Sequence, residues 1–221
     1  MQTIVNFFGL LITWAIWIWL AIRKFESITN LVVAVVGGLA IIPVVFLGRW
    51  MLERQPNVRR AELVTTGVHY LIAIFLGSAI ITATRFALES PTLPLSFPPW
   101  IGLTLMALSG LALILATVNL VSRGRGAPFA IAITRVIVTD WMYAWTRNPM
   151  ILSALALLVG LGIYLGSGLF LVWVLAVVSP AVLVFLRFYE ERELEIRFGN
   201  EYMNYRSKTP RLIPRRPESK D

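Results

Sequence analysis

The sequence contains no cysteine and a single histidine, His69. Without thiols there can be no disulfide, thiolate nucleophile, iron–sulfur cluster or cysteine-bound zinc. One imidazole cannot furnish a histidine-based metal site, so no metal is expected. Charge is scarce too: Asp, Glu, Lys and Arg make up 14% of the 221 residues, against about 25% in an ordinary soluble domain. The acids and bases left for chemistry are a few carboxylates, tyrosines and arginines.

What is present in excess is apolar surface. Hydrophobic residues make up 57% of the chain and the mean hydropathy is +0.75. A water-soluble core of this size cannot hide so much apolar surface, so the bilayer is the expected solvent and the expected class is an all-α integral membrane protein. Six stretches approach the ~20 apolar residues that a span requires: 4–22, 31–48, 63–84, 101–120, 150–165 and 169–188. The fifth is short and joined to the sixth by Gly166-Ser167-Gly168, which predicts a tight helical hairpin. About six spans in one bilayer suggest a single domain over 1–221. Residues 1–120 hold spans one to four, 121–214 hold most of the non-membrane mass, and 215–221 form a basic tail. The first apolar run has no basic flank or A-x-A site before it and exceeds the ~7–15 residues of a signal-peptide core, so a retained first span is expected.

The net charge of +8 is unevenly placed. Segments 49–60, 123–147 and 187–220 carry 4, 4 and 9 of the 20 lysines and arginines, leaving only Arg23, Lys24 and Arg85 for the opposite side of a six-span arrangement. The positive-inside rule then places both termini in the cytoplasm, in an inner, plasma or ER-type membrane. Nucleic-acid binding would need a soluble basic face and is not expected. The tail from Arg206 to Lys220 is expected to meet anionic lipid. Pro43 and Pro180 fall inside spans and predict bends, and most of the tryptophans sit near expected interfaces.

Three polar clusters stand out. Arg147-Asn148-Pro149-Met150 opens the fifth span, where Asn148 suits an N-cap and Pro149 a first turn, with Arg147 at headgroup depth and Arg135 the nearest other arginine along the chain. Gly124-Arg125-Gly126-Ala127-Pro128 follows the fourth span, and its glycines permit either a close ligand approach or a simple turn. By contrast Gly160, Gly162 and Gly166 lie in an apolar span with no preceding strand, which predicts close helix packing and no dinucleotide loop. The third cluster is Glu190-Glu191. Continuing the sixth helix at ~100° per residue puts Arg187, Glu190, Glu191, Leu194 and Phe198 on one inward face. Arg192, Glu193 and Ile196 point elsewhere, and Glu193 with Arg197 forms an exposed i,i+4 pair. Two inward carboxylates at a membrane need partners: Arg187 or Arg147 for one, and a cationic cofactor for the other. Gly199 is expected to end the helix.

In order, G-R-G-A-P, V-T-D-W-M-Y-A-W-T-R-N-P-M and E-E-R-E-L-E-I-R-F-G-N-E-Y-M-N-Y-R-S-K-T-P-R-L-I-P flank a helical hairpin. Between 121 and 214 the chain resembles the isoprenylcysteine carboxyl methyltransferase and phospholipid methyltransferase superfamily of integral membrane enzymes. The resemblance implies methyl transfer from S-adenosylmethionine, with S-adenosylhomocysteine as product. The acceptor would be lipophilic and enter from the bilayer, either an isoprenylcysteine-type carboxylate or a phospholipid amine. The cofactor pocket would be cytoplasmic, between the loop before span five and the C-terminal helix. Cofactor binding is implied for Gly124, Gly126, Pro128, Tyr143, Asn148, Pro149, Glu190 and Glu191, and a catalytic role for Arg147, Asn148 and Glu190. Two departures matter: the usual R-H-P is R-N-P, so Asn148 replaces a histidine, and Trp141-Met142 and Ile151 replace a glycine-proline and a tyrosine.

The implied chemistry suits the sparse inventory. In-line displacement at a sulfonium depends mainly on alignment. A glutamate can hold a cofactor amino or hydroxyl group, and an arginine fork can clamp a carboxylate of cofactor or substrate. A carboxylate acceptor is already ionised, whereas an amine or thiol needs a base. Two other readings remain open. An NADPH-dependent sterol or steroid reductase shares a related R-H-P pattern, but Glu190-Glu191 would repel a 2′-phosphate. A non-catalytic lipid-binding or adaptor protein would carry Asn148 as a mark of lost catalysis.

Overall fold

With no water in a bilayer core to satisfy backbone amides, long apolar stretches must bond internally as helices. A computed structural model of the chain, which describes residues 2–90, 93–124 and 134–217, has that form. Helix α1 is Gln2–Ile22, α2 Ser27–Arg54, α3 Val58–Glu89 and α4 Pro99–Gly124. A single turn, α5, covers Met142–Trp145. Then follow α6, Pro149–Tyr164, α7, Gly168–Phe198, and α8, Asn200–Lys208. Among the described residues the only β feature is an isolated bridge between Pro94 and Ser167.

Among the described residues, five helices are long and apolar enough to cross a membrane: α1, α2, α3, α4 and α7. The fifth expected span is the 16-residue α6. At 1.5 Å per residue it is about 24 Å long, less than a ~30 Å hydrocarbon core. It nonetheless makes the expected hairpin with α7. Gly166 turns at φ +63°, a conformation costly for any residue with a Cβ, and the Ser167 hydroxyl accepts from the Phe170 N–H at 3.2 Å to cap α7. Closure of this hairpin returns the start of α6 and the end of α7 to the same end of the bundle.

The expected close packing at the α6 glycines is present. A Cβ added to Gly160 would lie 3.0 Å from the Gly102 carbonyl oxygen, and one on Gly102 would lie 2.4 Å from the Tyr164 nitrogen. Helices α4 and α6 therefore cross backbone to backbone. The main core lies elsewhere, where Ile41, Val45 and Leu52 of α2, Val64 and Ala79 of α3, and Val174, Val178 and Leu186 of α7 are buried together.

Both span prolines disturb their helices. Pro43 has no N–H to offer the Leu39 carbonyl, and α2 turns at Ala40, between Ser27–Leu39 and Ile41–Arg54. Pro180 lies in the α-helical stretch Ser179–Val184, bracketed by π-helical turns at Val174–Val178 and Phe185–Glu190. Each π turn takes in an extra residue, so side chains beyond Glu190 are rotated relative to a helix continued at 100° per residue.

Basic residues segregate between the two ends of the bundle. At one end Arg85 donates to the carbonyl oxygens of Ala21 and Arg23. There too the Leu95 N–H bonds the Gly166 carbonyl at 2.9 Å and the Gly168 N–H bonds Leu93 at 2.8 Å. At the other end Arg49 donates to the Phe188 carbonyl (3.2 Å), Arg60 to that of Met51 (2.9 Å), and Arg123 pairs with Asp140 (2.9 Å). This placement can be checked with unusual ease, because any introduced cysteine is the only one. Exposed Ser96 and Ser207 lie at opposite ends, so Ser96→Cys and Ser207→Cys should react with a membrane-impermeant maleimide from opposite faces of sealed vesicles. Labelling of both from one face would refute the arrangement.

Candidate functional site

The segment from Thr134 packs back on the end of α4. Gly124 is buried, and a Cβ there would lie 3.1 Å from Val138 Cγ2 and 3.2 Å from Thr134 Cγ2. Its carbonyl accepts from the Arg135 N–H at 2.9 Å, and Asn119 donates to the Asp140 carbonyl at 3.2 Å. The closest approach to Gly124 is thus made by the protein's own side chains. Gly126 and Pro128, two more of the expected cofactor contacts, lie outside the described residues.

Trp141 leads into α5 at φ +52°, ψ −121°, a conformation disfavoured for residues with a Cβ. The resembling enzymes often have glycine here, and the backbone supplies the reason. Behind it Tyr143 is buried, and its carbonyl accepts from the Tyr205 hydroxyl at 2.7 Å. Burial raises the pKa of Tyr143, with the negative charge of Glu190 adding to it. Burial likewise raises Tyr205 and pushes Tyr202 up to about 12. All three phenols therefore keep their protons at neutral pH and can act as donors.

Arg147 is at the centre of the cluster. Its Nη2 lies 3.0 Å from Glu191 Oε1, with side-chain exposures of 8% and 9%. Its Nη1 donates to the Tyr202 hydroxyl at 2.7 Å, across 55 residues of sequence. Its Nε is buried and has no hydrogen-bond partner among the described residues. Arg211 Nε also donates to Glu191 Oε1, at 2.7 Å, and Arg206 Nη1 is 3.8 Å from Oε2. That bond raises the pKa of Arg211 further. Arg147 is therefore not alone at this helix entry as its sequence neighbourhood suggested, because α8 brings Arg206 and Arg211 back to it. Arg187, the other expected partner of the acidic pair, is exposed and lies over the Phe188 ring instead.

The chain after α8 runs along the segment before α6 as a strap. The Arg147 N–H bonds the Pro210 carbonyl at 2.9 Å, and the Arg215 N–H bonds that of Trp145 at 3.0 Å. The Arg211 carbonyl accepts from Thr146 Oγ1 at 3.1 Å and from Asn148 Nδ2 at 3.0 Å. The N-cap expectation for Asn148 is thereby corrected: it makes no side-chain cap bond, because its amide is engaged with the strap. Pro149 does occupy the first turn, buried.

The helical-wheel expectation for α7 also needs correcting. Glu193 and Arg197 form no exposed pair: they lie 2.7 Å apart with side-chain exposures of 5% and 6%, and Arg197 also donates to the Thr134 carbonyl. The π turn at Phe185–Glu190 has rotated them inward. Of the paired glutamates, Glu191 is taken up by arginines. Glu190 makes no hydrogen bond or ion pair with the described residues, although it feels the charges of Glu193 and Arg147. Gly199, at φ +53°, separates α7 from α8 as expected. Sequence reasoning missed Tyr202, Tyr205, Arg206 and Arg211. The available signal was Tyr-x-x-Tyr-Arg in a short amphipathic segment.

A family model for phospholipid methyltransferase matches residues 98–201, bearing out the resemblance over that stretch. No curated protein and no solved structure matches the chain. The matched stretch runs from just before α4 to the start of α8, and so contains Gly124, Tyr143, Arg147, Asn148, Glu190 and Glu191.

Two stability predictions follow from this geometry. Arg147→Ala leaves Glu191 short of a buried partner and should cost about 3–5 kcal/mol. Arg206→Ala, with Arg206 39% exposed, should cost at most about 1 kcal/mol. Thermal denaturation in detergent distinguishes them, and equal losses would contradict the assigned burial. Trp141→Gly relieves backbone strain of about 1–2 kcal/mol and should raise the apparent melting temperature by a few degrees. Trp141→Ala should not, and a matching gain from alanine would show that the indole, not the backbone, is at fault.

Proposed function

We propose that this chain, in which residues 98–201 are a phospholipid methyltransferase domain of the integral membrane methyltransferase superfamily, transfers a methyl group from S-adenosylmethionine to the amine of a membrane phospholipid. The observation that carries the reading is a pair of unmet groups in one cluster: the Glu190 carboxyl, without a hydrogen bond to the described residues but within reach of the Arg147 charge, and the buried Arg147 Nε, without an acceptor among them. A carboxyl able to ionise against a bound cation, in the same cluster as a cationic N–H, suits the ammonium and carboxylate of an amino-acid moiety, which S-adenosylmethionine carries. The residues present therefore fit that group.

When bound, S-adenosylmethionine supplies a methyl group on a cationic sulfur. Glu190 would accept from its ammonium, Arg147 Nε would donate to its carboxylate, and the protonated phenols of Tyr143 and Tyr202 would be available as donors, while Tyr205 already donates to the Tyr143 carbonyl. Glu191, held by Arg147, Arg206 and Arg211, would position Arg147 and make no contact with the cofactor. Gly124 and Pro149 enter as backbone-shaping residues at the end of α4 and at the entry to α6. The Arg147 terminal nitrogens are already bonded to Glu191 and Tyr202, which removes the fork that a carboxylate acceptor would need. That favours an amine-headed phospholipid over an isoprenylcysteine-type carboxylate. The arginine-rich end of the bundle is the cytoplasmic one on this reading, with both termini there and anionic lipid at the tail carrying Arg215 and Arg216.

In detergent, S-adenosylmethionine and S-adenosylhomocysteine should protect the wild type against heat, and NADPH should not. Glu190→Gln removes the charge with little change of shape. It should weaken binding of the methyl donor and of the product alike, about tenfold or ~1.4 kcal/mol, because both carry the ammonium that Glu190 would hold. Transfer of labelled methyl to phosphatidylethanolamine but not to a prenylcysteine would fix the acceptor. Protection by neither adenosyl compound would sink the proposal.

A further inference from the structure

Away from Glu190 and the strap, a second concentration of positive charge lies on the lateral surface between α2 and α7. Phe46, Arg49, Trp50, Glu53 and Arg54 recur at i, i+3, i+4, i+7 and i+8, which places them on one face of the last turns of α2. Phe188 of α7 meets that face. Its ring centroid is 5.7 Å from that of Phe46, and its carbonyl accepts from Arg49 Nη1 at 3.2 Å. The Arg187 guanidinium lies 5.6 Å from the centre of the Phe188 ring, and that of Arg54 lies 4.0 Å from the centre of the Trp50 ring. Each aromatic face holds its cation electrostatically, so neither arginine trails freely in solvent.

The charges on this face do not balance. Three arginines face a single carboxylate, Glu53, which pairs with Arg49 at 2.9 Å. Neither Arg54 nor Arg187 has a carboxylate partner among the described residues. One turn further into the membrane, Phe46 and Trp50 remain 50% and 51% exposed, so the apolar half of the patch is only partly covered by protein.

We infer that Arg49, Arg54 and Arg187 form a docking site for the phosphate of an anionic phospholipid, whose acyl chains lie against Phe46 and Trp50. The apolar half of the patch faces acyl chains, which a soluble anion cannot match. The uncompensated arginines lie at headgroup depth, where anionic lipid is attracted at about 1 kcal/mol per basic residue. A zwitterionic lipid would bring its own cation against three guanidiniums. The site is separate from the Glu190–Arg147 cluster and from the basic tail, and it does not depend on methyl transfer.

Native mass spectrometry of the protein equilibrated with phosphatidylglycerol or phosphatidylcholine tests the inference. The wild type should retain a phosphatidylglycerol at concentrations about tenfold below those needed for phosphatidylcholine. Arg54→Gln/Arg187→Gln should abolish that preference, and Arg54→Lys/Arg187→Lys should keep part of it. The tail variant Arg215→Gln/Arg216→Gln should leave it intact. Should the double glutamine variant fail to fold, the single variants Arg54→Gln and Arg187→Gln carry the test, each reducing the preference. Undiminished preference in the folded glutamine variants would overturn the assignment. So would its loss in the tail variant, or equal retention of both lipids by the wild type.

Discussion

Three stretches of chain converge on the Glu191 carboxylate: the segment before α6 through Arg147, α8 through Arg206, and the strap through Arg211. A carboxylate this little exposed is costly unless paired and hydrogen-bonded. Arg147 is similarly enclosed, so neither charge tolerates loss of the other. The pairing therefore fixes where the hairpin opens, where the tail helix lies and where the strap crosses. The orientation of every other candidate residue is downstream of it. Tyr202 reaches Arg147 only because α8 returns, and Tyr205 then closes on the Tyr143 carbonyl.

The same arrangement divides labour between neighbouring glutamates. Constant spacing of about 100° places Glu190 and Glu191 together on one broad inward face and does not by itself say which partner each meets. The π turn ending at Glu190 decides that. It turns Glu193 and Arg197 against α3 and the Thr134 segment, gives Glu191 to the arginines, and leaves Glu190 without a bond beside Arg147. π turns of this kind occur frequently at functional sites, and here one sets the register of Glu190, whose side chain has no hydrogen-bond or ion-pair partner among the described residues.

Much of the frame was legible in the residues. Long apolar runs show their length directly, the Gly166-Ser167-Gly168 link admits only a tight hairpin, and Gly160 in an apolar helix calls for a close neighbour, which is Gly102. The sidedness of the arginines was legible as a count because it depends on position along the chain and on nothing finer. Two things were not legible. The register past Pro180 depends on π turns that a proline permits but does not dictate, so extrapolation at constant angle misplaced Glu193 and Arg197. The strap is held largely by backbone carbonyls at Trp145, Pro210 and Arg211, and carbonyls are the same in every sequence. Arg211 and Tyr202 were therefore invisible as site residues until α8 brought them back.

Asn148 shows how one of these contacts bears on chemistry. Its amide nitrogen donates to the Arg211 carbonyl, a carbonyl that also takes the Thr146 hydroxyl. The histidine usual in the resembling enzymes could offer one ring N–H to such a carbonyl and keep a second nitrogen able to take up a proton. Asparagine keeps the donor and gives up the titrating group. The exchange thus preserves the hold on the strap, and through Arg211 the hold on Glu191, while removing one base from the neighbourhood. On the proposed reading, an amine acceptor, which reaches neutral pH as an ammonium, would then lose its proton to water, because Glu190 is occupied by the cofactor's ammonium.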